Sequence, residues 1–213
     1  ALDGEKRPCM VRSSNAGHVL WSGIALPDRV PVVARGLMLP TSFSGWGIRT
    51  IGASEARYNP MSYHNGSVWP HDNALVAMGL ARYGYKVEAA RIFEALFEAS
   101  VHVDLRRLPE LFCGFGRKRG QGPTFYPMAC IPQAWAAAAP LALLATCLGL
   151  TFDPEHQRLE MRDPVLPDFL DTVTLRNLKV DGGHMDVEVL RTGAGIAASV
   201  LRRSGSARLL VTH

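Results

Sequence analysis

The sequence predicts a mainly α fold, with a helical region over residues 1–149 and a small antiparallel β region over residues 150–213. Three observations carry this. Tracts before Gly149 hold apolar residues at helical spacing. Two of those tracts are separated only by "YGYK", the signature of an antiparallel αα-hairpin. After Gly149 the chain turns to short alternating runs divided by turn residues.

The first helical tract, Ala16 to Met38, is interrupted at Pro27-Asp28 and predicts two short helices, the second over roughly Asp28 to Leu39. The next runs from Asn73 to Tyr83, with Leu75, Met78 and Leu80 among small residues and Gly84 as its stop. A Pro-initiated start at Pro70 would place Asp72 and Asn73 in its first turn. Val87 to Val101 puts Ala89, Ile92, Phe93, Leu96, Phe97 and Val101 on one stripe. Pro132 to Leu148 opens with proline in its first turn and is apolar nearly all round, which predicts a helix buried between others. Beyond it, "LTFDP", "RLEMRD", "TVTLRNLKV", "HMDVEVLR", "IAASVLRR" and "ARLLVT" read as strands, and "KVDGGHMDVEV" as a hairpin.

Composition excludes several classes. A chain that is 47% hydrophobic and 20% charged is globular rather than disordered. The net charge of +4 comes from scattered arginines, and Arg106-Arg107, Arg117-Lys118-Arg119 and Arg202-Arg203 never form a long basic run with interleaved aromatics. A solvated surface is expected, not a nucleic-acid interface. Cys9, Cys113, Cys130 and Cys147 contain no C-x-x-C, so they predict reduced, mostly buried thiols in a cytoplasmic protein. No stretch reaches the ~18 apolar residues of a membrane span.

Two places concentrate chemistry. "YNPMSYHNGSVWPHDN" sets Tyr63, His64, Trp69, His71 and Asp72 where the chain enters a helix. Asp72 reads either as a site carboxylate or as a charge favourable to the helix N-terminus. Trp69 reads as a site aromatic or a core anchor, and His71 as a member of the same cluster or a satisfied surface imidazole. His64 and His71 have no third ligand at a recognisable spacing, so no metal is expected. The second place is Glu110 in "RLPELFCGF", inside a long connection over residues 101–131 without clear periodicity. Connections of that length usually build sites when they are rich in apolar and aromatic residues. A buried Glu110 should have a raised pKa; the alternative is an outward glutamate paired with Arg106 or Arg107. Trp, Tyr, His, amides and a few carboxylates on such loops suit carbohydrate, and glycoside hydrolysis needs two carboxylates about the bond.

"SNAGHVLWSGIA", "FSGWGIRT", "YNPMSYHNGSVWPHDNAL", "RLPELFCGF" and "YPMACIPQAWAAAAP", in that order over about residues 9–150, resemble the C-terminal part of bacterial proteins of the amylo-α-1,6-glucosidase (glycogen debranching enzyme) type. That resemblance implies the six-hairpin glycosidase superfamily, hence about two to three helical hairpins of an (α/α)6 toroid. It implies an inverting hydrolase of α-glucosidic linkages that uses no cofactor. By similarity Glu110 is the candidate base, with Asp72 second for that role or a ligand of a substrate hydroxyl. Trp46, Arg49, Tyr63, His64, Trp69, Tyr126, Gln133 and Trp135 would line the glucosyl pocket. The Gly-Arg-Asp type acid motif of such enzymes is absent, and about five helices stand where about twelve are expected. The chain therefore resembles the last third of such an enzyme. It is expected to expose apolar helix faces and to be inactive alone, or to act with the missing N-terminal part or by self-association on an α-glucan. The competing expectation is a non-catalytic carbohydrate-binding or assembly fragment.

Overall fold

The computed structural model describes residues 2–180 and 182–212. The interrupted first tract folds as α1 (Asn15–Trp21) and α2 (Val30–Met38), the latter burying Val30, Ala34 and Leu37 along one stripe. Helix α3 (Pro70–Arg82) starts at the proline: Trp69 is extended, and Pro70 supplies a first turn that needs no N–H partner. Helix α4 (Lys86–Ser100) follows after a tight turn in which Tyr85 N–H returns to Leu80 C=O.

The stripe on α4 is narrower than its sequence suggests. Ala89, Ile92, Phe93, Leu96 and Ala99 are buried, whereas Phe97 and Val101 are exposed. Phe97 instead stacks at 3.8 Å on Phe169, which lies on the segment between the strands Arg158–Arg162 and Thr172–Val180 of the β region. Helix α5 (Ala134–Leu148) differs more. Pro132 lies outside it, Gln133 caps it by accepting from Ala134 N–H, and its apolar surface is not buried all round. Trp135 is 46% exposed and Leu141 72%, because only the face carrying Ala136, Ala139, Leu143 and Cys147 meets α3 and α4.

Helices α1 and α3 run parallel in close contact. A Cβ on Gly17 would lie 2.5 Å from Val76, and one on Gly79 would lie 2.6 Å from the Trp21 nitrogen and 2.8 Å from the Gly17 oxygen. Around Gly79 those are backbone atoms of the facing helix, so neither rotamer change nor side-chain bending relieves the overlap. Gly79→Ala is accordingly expected to destabilise the protein by about 1–3 kcal/mol, the usual range for overpacking, despite the better helix propensity of alanine. A higher urea midpoint than wild type would contradict it.

Most buried side chains of α1–α5 form one hydrophobic cluster, which also takes in Phe43, Trp46, Ile48, Val68 and Phe112. On the other side of α1 and α2, Val19, Trp21, Ile24, Leu26 and Val32 stay exposed. No helix of the described residues is long and apolar enough to cross a membrane.

The strands are β1 (Leu150–Asp153), β2 (Arg158–Arg162), β3 (Thr172–Val180), β4 (Gly183–Thr192), β5 (Gly195–Gly205) and β6 (Arg208–Thr212). They make two three-stranded sheets, β1-β2-β6 and β3-β4-β5. The β region is not purely antiparallel as expected, because β2 and β6 pair in parallel. β6 arrives only after the whole β3–β5 meander, so no hairpin turn forces it to oppose β2. Val180 and Gly183 pair across the predicted hairpin turn, whose Asp181 lies outside the described residues. Met185, Val187 and Val189 on β4 join Leu148, Leu159 and Met161 in a second cluster.

Candidate active site

Helices α1, α3 and α5 point their N-termini toward one end of the domain. For α1 and α3 the Gly17–Val76 and Gly79–Trp21 approaches fix the direction. For α5, Lys86 at the start of α4 donates to Thr146 C=O at 2.8 Å, and so ties the C-terminal end of α5 to that of α3. At the opposite end His71 and Trp135, each in a first turn, stack at 3.8 Å with rings 4° apart.

The connection after α4 is more ordered than its lack of periodicity suggests. After a short 3-10 turn (Asp104–Arg106), Phe112 bridges to Val68 on one side and to Phe125 on the other, while Val68 also bridges to Arg49. Val68 and Phe112 exchange both backbone hydrogen bonds, at 2.9 and 3.0 Å. Isolated bridges between segments far apart in sequence leave no alternating pattern long enough to read as strands. The approach is close enough that a Cβ on Gly114 would overlap the Gly66 carbonyl.

This ladder carries Glu110 inward, to 5% exposure. Tyr63 donates its hydroxyl hydrogen to Glu110 Oε1 at 2.8 Å, and Cys130 N–H donates to Oε2 at 3.3 Å. Glu110 N–H in turn donates to Cys130 C=O at 3.0 Å. Arg106 turns back to Val101 C=O, and the carboxylate is held by Tyr63 and Cys130 rather than by Arg106 or Arg107. The expected rise in pKa does not occur. Burial alone pushes Glu110 up, but hydrogen bonds from Tyr63, Cys130 and the Gln133 side chain together outweigh it and hold the carboxyl below its ordinary value of 4.5. The same contact with Glu110, with burial adding to it, pushes Tyr63 up to about 12, so its phenol stays a donor. Glu110 is thus ionised at neutral pH, the form that accepts a proton.

Around it stands an aromatic wall. Tyr63 meets Trp69 edge-on at 4.9 Å, Tyr126 at 5.6 Å and His64 at 4.7 Å. Trp69 meets Trp135 at 6.0 Å and His71 at 5.7 Å. Trp69 is itself buried, with its indole N–H donating to Ser67 Oγ at 2.9 Å. Tyr63, His64, Trp69, Tyr126, Gln133 and Trp135 are therefore brought together about Glu110. Tyr63→Phe is expected to keep the ring packing while removing the hydroxyl that lowers Glu110. The acid limb of any activity that needs ionised Glu110 should then move to higher pH, and an unchanged limb would contradict it.

Two further pocket candidates have other partners. Arg49 is buried and donates to the carbonyls of Gly114, Pro40 and Thr41 at 2.6, 3.0 and 3.2 Å, tying loop backbones together. Trp46 packs edge-on against His102, with the Arg117 guanidinium 4.5 Å over its ring. Cys130 is exposed, as is Cys9, so only Cys113 and Cys147 follow the expectation of buried thiols.

Asp72 is buried and paired: His18 Nε2 lies 2.5 Å from its Oδ1, and the hydrogen bond to Asp72 raises His18 above 6.5. Among the described residues its Oδ2 has no hydrogen-bond partner, nor has the Nδ1 of neighbouring His71. His71 is no surface imidazole but half-buried against Trp135, and burial lowers its pKa. His18 and Cys130 lie in two of the quoted motifs, but nothing local singled them out, since each meets its partner only through packing of distant segments. Among the described residues no three His, Cys, Asp or Glu gather as metal ligands.

The chain is similar to known glycoside hydrolases. Residues 4–110, half of the chain, match the family model of the mannosylglycerate hydrolase MGH1-like glycoside hydrolase domain. No curated protein matches. Among solved structures, the GH63 mannosylglycerate hydrolase from Thermus thermophilus in complex with Tris is 21% identical with a TM-score of 0.49, covering 65% of this chain and 30% of that one. The same enzyme in complex with Tris and D-glycerate is 23% identical with a TM-score of 0.47, covering 65% and 31%. The chain thus spans about a third of the length of those proteins.

Proposed function

The chain belongs to the MGH1-like glycoside hydrolase family, and from that premise we propose that it supplies the catalytic base and one wall of a site hydrolysing an α-glycosidic bond. The observation that carries the reading is Glu110: a buried, ionised carboxylate held by Tyr63 and Cys130 beneath aromatic rings suited to a sugar face. Glu110 would activate water on one face of the anomeric carbon, while a carboxylic acid protonates the leaving oxygen from the other. That acid comes from a part of the enzyme outside this chain, because Asp72, the other carboxylate of the wall, is committed to His18. In this division Asp72 holds a substrate hydroxyl or shapes the wall, and the reaction inverts configuration.

For the substrate, the order of the motifs favours a terminal α-1,6-linked glucosyl unit of a branched α-glucan. The family description favours a second, a small hexosyl glycerate. In either case the setting is the cytoplasm, and the partner is the remainder of the enzyme.

The test offers isomaltose, panose and α-mannosylglycerate to the chain, alone and with its completing part. NMR follows the anomer released, and titration follows binding of methyl α-D-glucopyranoside and methyl α-D-mannopyranoside. Release of the β-anomer supports the reading and selects the substrate. Binding without release in both settings supports a carbohydrate-binding fragment instead, and absence of both sinks the glycoside reading.

A further inference from the structure

We propose that His18 is a positioning residue of the candidate site, setting the aromatic wall through Asp72 and His71. The role as substrate positioning rests on the glycoside hydrolase reading; the coupling to the wall does not.

The observations form one chain of contacts. His18 is a half-exposed residue of α1, and its Nε2 meets buried Asp72 Oδ1 at 2.5 Å across the α1–α3 interface. Asp72 is fixed in the first turn of α3 beside His71, whose ring lies flat on Trp135 at 3.8 Å. Trp135 is half-exposed and touches Trp69, and Trp69 touches Tyr63, the phenol that holds Glu110. The α1–α3 contact is backbone-close at Gly17 and Gly79, so a shift of α1 is transmitted to α3 rather than absorbed by side chains.

The polar ends of this arrangement are not saturated. Asp72 Oδ2 and His71 Nδ1 are buried without hydrogen-bond partners, so among the described residues His18 supplies the only hydrogen bond of the Asp72 side chain. Losing its charge therefore costs more than losing a surface ion pair. The titratable group beside the pair is His71 on α3, which itself feels Asp72, His18 and, from the long connection, Glu110; α5 carries no Asp, Glu, Lys, Arg or His. The folded value of His18 is raised, so the charged pair is complete below the ordinary imidazole range and is lost as pH rises through the raised value. Above it the buried Asp72 lacks a counter-charge, and the first turn of α3, with the His71–Trp135 stack, is held less firmly.

The test follows the near-UV circular dichroism of the tryptophans of the full chain against pH, with Trp135→Phe to assign the Trp135 part. The wild type should show a Trp135 transition centred above 6.5, the ordinary histidine value. His18→Gln, which keeps a neutral donor, should abolish the transition while the far-UV spectrum is retained. His18→Arg should hold the low-pH signal throughout. Affinity for methyl α-D-glucopyranoside or methyl α-D-mannopyranoside should fall about fivefold across the same transition, a modest coupling between sites. A transition that persists in His18→Gln belongs to His71 and overturns the proposal. If His18→Gln does not fold, the wild type still decides: the Trp135 indole N–H resonance must move with the His18 titration, and a stationary one overturns it. An intact transition with no sugar bound at any pH upholds the coupling and removes only the glycoside reading.

Discussion

On the proposed glycoside-hydrolase reading, Glu110→Gln is expected to lower hydrolysis of an α-glycoside by about two to four orders of magnitude, the span of general acid–base catalysis, while leaving sugar binding within a few-fold. Glutamine preserves the shape of the side chain, and its one oxygen can still accept from Tyr63, but its NH2 cannot accept from Cys130 N–H and it cannot take a proton from water. The effect should therefore fall on kcat rather than KM, and the product should keep the same anomeric form. The pH profile supplies an independent check. Glu110 is held below 4.5 in the folded protein, so its ionised form, and the stability it contributes, is present above the unfolded value and lost as pH falls through the folded one. The acid limb of wild-type activity should accordingly lie below that value. Unchanged turnover in Glu110→Gln, wherever turnover of the wild type is measurable, would falsify the assignment and pass the role to Asp72.

The second large effect is on stability. Asn73 is fully buried at the start of α3, where its Oδ1 accepts from Ile48 N–H at 2.6 Å and its Nδ2 donates to the carbonyls of Ile48 and Trp69 at 3.0 Å each. This amide replaces a strand partner for Ile48 and locks the "SGWGIR" segment to the helix that carries the aromatic wall. Asn73→Ala would strand the Ile48 N–H and C=O in a dry interior, at about 1–3 kcal/mol per unsatisfied group. The total, about 3–5 kcal/mol, is a large part of the roughly 5–15 kcal/mol by which domains are usually stable. A fall in the urea midpoint without change in its slope would register it. A loss below about 1 kcal/mol would mean that water or a shifted backbone satisfies Ile48.

What could be read in the chain and what could not divide along a physical line. The helices were legible because periodicity and breakers are local: Pro27 falls in the break between α1 and α2, Gly84 follows the end of α3, and the α3–α4 hairpin follows from one short turn. The Pro140-containing helix was legible as a helix, but its burial was not, because an alanine-rich surface reads alike whether neighbours cover it or not. Glu110 stood out as a carboxylate among apolar residues, yet the sign of its pKa shift depended on Tyr63, Cys130 and Gln133, all distant in sequence. The resemblance placed Arg49 in the lining of the pocket, and its hydrogen bonds to three backbone carbonyls are visible only in space.

The opening of α3 shows the division best. By itself the sequence determined that "VWPHDN" starts a helix with aromatic, imidazole and carboxylate side chains in one turn, since proline and the helical repeat act over a few residues. Only the tertiary structure decided their work. It gave Asp72 to His18, His71 to Trp135, Asn73 to Ile48, and a buried, ionised place beside Tyr63 to Glu110. Hydrogen bonds and burial set a side chain's chemistry, and both are made here between segments that no local pattern connects.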